Sequence, residues 1–248
     1  MRIRVRFAKL GKVRWTSHRD VARMWERAFR RVSLPLAYSE GFSPRPRVSF
    51  GLALPTGHES VAEYLDFELR PPLAASEEVD IHALPDCLSA ALPVGIDVLA
   101  AAEIDGRTTS LQEEVTSCTW LVGVAGLAGA TELPALVGQA MAAGSLVINR
   151  QRKGQVVTDD IRPAILAITP TGTDPAGRPT IRCDLATQPR GLRPSELLVA
   201  LRPGLEEAGV RRLHQWIERD GARREPLPLP IDATDAPRTK EDLVVRAS

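Results

Sequence analysis

Thirteen arginines and lysines against three acids fall within residues 1–50, a net of +10, while the remaining 198 residues carry a net of −9. The same region holds most of the rings: nine of the eleven aromatic residues lie in the first 67 (Phe7, Trp15, Trp25, Phe29, Tyr38, Phe42, Phe50, Tyr64 and Phe67). Guanidinium groups neutralise phosphates, and ring faces stack unpaired bases, so basic residues interleaved with aromatics suit single-stranded nucleic acid. Such a charge split within one chain points to an anionic partner for its basic part. The alternative is that the basic part packs on the acidic remainder, or docks an acidic protein.

The candidates for phosphate contact are Arg4, Arg14, Arg19, Arg23, Arg27, Arg45 and Arg47, with Tyr38 and Phe42 as stacking rings. In "SPRPR" each proline pushes the residue before it toward extended backbone, which displays Arg45 and Arg47 with little freedom left to lose. His18 at a helix start could act as a general base in metal-independent RNA cleavage. No Ser/His/Asp or Cys/His set stands out, and no phosphate-loop or dinucleotide glycine signature occurs. Cys87, Cys118 and Cys183 are odd in number and far apart, which suits a reducing cytoplasm and offers neither a zinc nor an iron–sulfur motif. No metal and no cofactor are expected, and no apolar run is long enough to span a membrane.

The elements that must position these groups follow from periodicity. Residues 2–8 alternate arginine with Ile3, Val5 and Phe7, a strand with a basic outer face. Ser17 and Asp20 form a capping-box-like helix start, and Val21, Met24, Trp25, Ala28, Phe29 and Val32 recur at helical spacing. Arg19, Arg23, Arg27 and Arg30 then share the opposite face. Strands are expected at Val48–Leu54, Tyr64–Leu69 and Ile96–Ala102, with a helix at Ile81–Leu92. That β-α-β-β-α-β order is the ferredoxin-like arrangement. After a polar boundary at 103–114 come strands at 115–124, 146–150, 161–169 and 180–186, and helices at 133–143 and 195–201. Residues 210–219 read as a short helix or a last strand. The expected organisation is two tandem ferredoxin-like α+β domains with antiparallel sheets, at 1–103 and 115–220. A proline-rich tail follows at 221–248, with the composition of a disordered segment.

The pieces "SHRD", "RAFRR", "GFSPRPR" and the Glu59, Ser60, Ala62, Glu63, Tyr64, Asp66 pattern together resemble the bacterial radical-SAM-linked protein family. The resemblance runs to about residue 210 in element order and is specific over Lys9–Leu69. It implies a context more than an activity: members are encoded beside, or fused to, radical SAM proteins, and in actinobacteria often near a ribonuclease E/G gene. This chain lacks the Cys-x-x-x-Cys-x-x-Cys cluster site, so the resemblance implies the stand-alone partner of such an enzyme. The reading reached from sequence is a non-catalytic protein that presents transfer or ribosomal RNA to a radical SAM partner. An endoribonuclease using His18 and a pure protein-interaction subunit are its rivals.

Overall fold

The alternation of Arg2 to Phe7 sets the first strand, β1 (Arg2–Lys9), with Ile3, Val5 and Phe7 on one face. The computed structural model describes residues 1–71, 78–105, 109–129, 131–152 and 154–228. A turn of 3-10 helix at Gly11–Trp15 leads into helix α1 (His18–Arg31). Then come β2 (Val48–Phe50), β3 (Glu59–Glu68), α2 (Leu84–Ala91), β4 (Ile96–Ile104) and the short α3 (Leu111–Glu114). The second half comprises β5 (Val115–Ala125), α4 (Glu132–Ala142), β6 (Val147–Arg152), β7 (Gln155–Asp160), β8 (Ile165–Thr173), β9 (Pro179–Ala186), α5 (Pro194–Leu201), β10 (Glu206–Arg219) and β11 (Ala222–Arg224). The class is α+β with antiparallel sheets. Two compact units divide the chain: Met1–Glu114 with the chain from Glu218, and Val115–Ile217.

In the first unit the strands order β4-β1-β3-β2, every neighbour antiparallel. One face of this sheet is apolar and both longer helices pack on it. Val21, Trp25, Ala28 and Phe29 of α1 and Leu84, Leu88 and Ala91 of α2 join Ile3, Val5, Phe7, Leu65 and Phe67 in one core. Ring contacts run through it, with centroids 5.0 Å apart for Phe7 and Trp25 and 5.1 Å for Phe29 and Phe67.

The other face departs from expectation. The arginines of β1 are not a solvated basic surface: Arg4 and Arg6 are only 3% and 2% exposed. The reason is cross-strand register, which places Asp66 of β3 directly opposite Arg4. Asp66 accepts from Arg4 Nε at 2.8 Å and Nη2 at 2.9 Å, and from Arg2 Nη2 at 2.9 Å. Arg6 donates to the Val61 carbonyl at 3.1 Å and pairs with Glu225. Its guanidinium also lies 5.8 Å from the Tyr64 ring centroid. Burial pushes the Tyr64 phenol well above its ordinary pKa. The face is therefore an ionic layer whose charges are consumed internally.

The second unit orders its main strands β10-β5-β9-β8, again antiparallel. Strand for strand this repeats the first unit's connectivity, with a separate hairpin, β6–β7, inserted between α4 and β8. The strand expected at 146–150 is thus one arm of a hairpin, and residues 210–219 lie in a long strand. The segment expected to be a tail begins with ordered chain: β11 forms, and Glu225 and the Leu227 carbonyl meet Arg6, whose buried charge needs an acceptor. Residues 229–248 lie outside the described residues.

Cys118 and Cys183 are buried and Cys87 is exposed. Burial raises the Cys183 thiol pKa, with Asp184 adding to it, so this sulfur stays protonated and shielded. A chromogenic disulfide reagent is expected to titrate one thiol in the native protein and all three in urea. Three thiols reacting at one rate in the native state would contradict the packing.

Candidate nucleic-acid interface

Helix α1 carries the clearest exposed charge. Its start is fixed by Ser17, whose Oγ accepts from the Asp20 amide at 3.2 Å and donates to the Asp20 carboxylate at 2.7 Å. With Val21, Trp25, Ala28 and Phe29 committed to the core, helical geometry turns Arg19, Arg23, Arg27 and Arg30 outward, and all four are exposed. Asp20 approaches Arg23 at 3.6 Å on the surface, a pair worth little in water. Arg27 donates to the Arg23 carbonyl at 3.2 Å. Among the described residues no ion pair engages Arg19, Arg27 or Arg30. Arg31, one position round, instead donates to the last-turn carbonyl of Ala91 on α2 at 2.7 Å.

At the N-terminal end of α1 stand Arg14, Trp15 and His18. Arg14 Nη1 donates to the Gly11 carbonyl at 3.2 Å and lies 3.5 Å from Glu59, and the guanidinium is 5.4 Å from the Trp15 ring centroid. His18 is exposed, with its ring edge-on to Phe50 at 5.2 Å. It shares a cavity of about 20 Å³ with Phe7, Lys9, Phe50 and Glu63. That volume suits one water molecule and no nucleotide. Lys9 is buried there, donating to the carbonyls of Thr16 at 3.0 Å and Arg14 at 3.4 Å. Burial pulls its pKa down, against the pull of Glu63. The meeting of Lys9, Glu63 and His18 around one cavity does not follow from sequence spacing, since the residues come from three elements.

The "SPRPR" stretch closes a small hairpin. Ser39 N donates to the Arg45 carbonyl and Arg47 N to the Ala37 carbonyl, both at 2.9 Å, and Arg45 N donates to Ser39 Oγ at 3.0 Å. Only residues 45 and 47 donate from this arm, so Pro44 and Pro46, which lack an N–H, fall where none is needed. Gly41 turns the tip at φ +122°, a value that favours glycine. Phe42 beside it is fully exposed, and Tyr38 and Arg45 are exposed along the arms.

These residues do not form one surface. Val48 pairs with Phe67 and turns toward the core, so Arg47, one residue earlier, faces the other way and bonds Glu68 at 3.0 Å. Arg47 therefore lies on the sheet face opposite α1. Arg4 belongs to the buried ionic layer and is not an exposed contact. The groups that remain together are Arg19, Arg23, Arg27 and Arg30 on one face of α1, while Arg14 lies in the turn before the helix, held by the Gly11 carbonyl and Glu59. The hairpin of Tyr38, Phe42 and Arg45 follows the Leu36–Leu69 bridge, which begins five residues after α1 ends at Arg31. Trp15 sits where α1 begins. Along the chain the fourteen residues of α1, about 21 Å of helix, lie between Trp15 and this hairpin.

Among the described residues no group of three His, Cys, Asp or Glu side chains is placed to hold a metal ion, and no helix is long and apolar enough to cross a membrane. Residues 2–194 match the model of a family described as "Uncharacterized protein conserved in bacteria (DUF2344)". The chain belongs to this family. A search of the curated proteins finds no match. Solved structures similar to the DUF2344 chain include a Cbf5-Nop10-Gar1 complex, at 9% identity and TM-score 0.48, covering 86% of this chain and 48% of that one. The archaeal box H/ACA sRNP Nop10-Cbf5 complex follows at 9% and 0.44, over 85% and 46%. An H/ACA RNP bound to a substrate RNA containing 2'-deoxyuridine stands at 10% and 0.46, over 86% and 47%. This chain spans about half the length of each of them.

Gly57 is the residue on which the Trp15 end depends. Its φ is +91°, its amide donates to the Arg14 carbonyl at 2.8 Å, and a Cβ there would come within 2.9 Å of the Trp15 ring. Gly57→Ala is expected to cost about 1–3 kcal/mol from backbone strain and the displaced indole. The urea midpoint and the Trp15 emission should both shift; an unchanged spectrum would mean that the ring does not rest on this turn.

Proposed function

We propose that this protein binds RNA, transfer or ribosomal, through the exposed face of α1, and presents it in the cytoplasm to a radical SAM enzyme without itself cutting it. The single observation that carries the reading is the division of labour among its arginines. Arg2, Arg4 and Arg6 are used up by Asp66 and Glu225, whereas Arg19, Arg23, Arg27 and Arg30 point to water from a rigid helix with only Asp20 and Glu26 among them. Long cationic side chains displayed on a fixed backbone suit successive phosphates. Arg14 would extend the contact at one end, and Arg45 with Tyr38 or Phe42 at the other. Arg47, bound to Glu68 on the opposite sheet face, would reach a strand only if it wrapped the sheet edge.

As to architecture, we read both units as ferredoxin-like domains, the second carrying the β6–β7 hairpin as an insertion. The shared strand order supports this.

Filter binding of a transfer RNA pool at 50 mM and 500 mM salt tests the binding. Retention at the lower salt and loss at the higher is the expected result; no retention at 50 mM would overturn it. Fragments that appear with wild type and vanish with His18→Ala would instead favour the endoribonuclease. Nuclease-resistant co-purification with the radical SAM protein, without RNA retention, would favour the protein-interaction subunit.

A further inference from the structure

Trp15 is 65% exposed, although a ring of that size normally goes to the interior. The fold nevertheless holds it. Lys9 ties down the carbonyls of Arg14 and Thr16, Thr16 Oγ1 donates to the Val13 carbonyl at 2.6 Å, and Gly11 N donates to Glu59 at 2.9 Å. The indole rests on the turn at Gly57, and the Arg14 guanidinium stands beside it. The backbone that carries it is thus set in advance, and most of the ring's surface is left in water. Phe42 is the contrast: it is fully exposed beside Gly41, with no neighbour in ring contact among the described residues. Stacking on Phe42 has to bear the ordering cost that Trp15 has already met.

We propose that Trp15 is the stacking platform for one unpaired base of a single-stranded RNA whose phosphates follow Arg19 and Arg23 along α1. The inference rests on the RNA reading above and adds the subsite and the strandedness. Three features favour this occupant. The Arg14 guanidinium stands 5.4 Å from the ring centroid, shared with Glu59, and Lys12 and Arg19 lie three and four residues from Trp15 in the chain, so the ring belongs to a net basic stretch that suits a phosphate chain. An indole offers a flat π-face, which any unstacked base can use and a paired base inside a duplex cannot. An acidic protein segment would match the charge and leave the ring unused.

The test uses the full chain, an eight-residue adenosine RNA and an abasic oligomer of equal length and charge, at low salt. Wild type is expected to bind the adenosine oligomer more tightly than the abasic one. Trp15→Ala should weaken the adenosine oligomer by about tenfold and leave the abasic oligomer unchanged. Trp15→Phe should keep most of the preference, and an unchanged urea midpoint should show that both variants fold. Equal affinity of wild type for both oligomers, or equal loss on both in Trp15→Ala, overturns this inference alone. Failure of wild type to bind either oligomer overturns the RNA reading, and the inference with it.

Discussion

Asp66→Ala is expected to destabilise the first unit by about 3–5 kcal/mol, the cost of leaving a buried charge without its partner. Asp66 is 3% exposed and takes both prongs of the Arg4 guanidinium, at 2.8 and 2.9 Å. Arg2 can swing to water when the carboxylate is gone, because its side chain keeps 17% of its exposure. Arg4, at 4%, has no such exit. A total stability of about 5–15 kcal/mol makes the expected loss a large fraction of the whole. Urea denaturation reads it as a lowered midpoint. The double variant Arg4→Met, Asp66→Leu should recover most of the loss, because replacing a buried pair with apolar side chains of similar volume is often neutral. A loss below about 1 kcal/mol in Asp66→Ala would mean that water reaches the layer.

The second large effect concerns binding. Removing Arg19, Arg23 and Arg27 together by alanine should cut RNA affinity about a hundredfold at 0.1 M salt. Each phosphate contact to a single strand contributes about 0.7 to the slope of log affinity against log salt, so three contacts change it by about 2. The variant and the wild type should then converge as salt approaches 1 M. Folding should be untouched, since all three side chains lie on the exposed face of α1. Arg4 is unsuited to the same experiment, because its loss would take the bidentate partner from Asp66, destabilise the sheet and mimic a binding defect. A triple variant that binds like wild type would move the contact surface away from α1.

Helix α1 was legible because its apolar residues recur every three or four positions, and the core face of one helix fixes its solvent face. The strand β1 was legible as a strand, yet its arginines were misplaced on a wet surface. Alternation says which residues share a face but not what covers that face. The cover came from Asp66, 62 residues away, and from Glu225 beyond the second unit. Asp66 and Glu68 do alternate with Leu65 and Phe67, so the acids on the arginines' side of β3 were a readable signal. The same alternation separates Arg47 from the α1 stripe. Once Val48 and Phe50 turn inward beside α1, the residue before Val48 must face away. The β6–β7 hairpin was missed although Val147, Ile148, Val156 and Val157 flank Gly154, which adopts φ +80° at the turn. The cluster of Lys9, His18 and Glu63 was beyond reach of spacing alone, since only the packing of α1 across β1 and β3 brings it together.

The central claim is that exposed arginines on α1 hold RNA phosphates, and the salt dependence of wild-type RNA binding tests it most directly. With four contacts from Arg19, Arg23, Arg27 and Arg30, log affinity should fall against log salt with a slope of about −3. A slope near zero, or no binding at 50 mM salt, would contradict it.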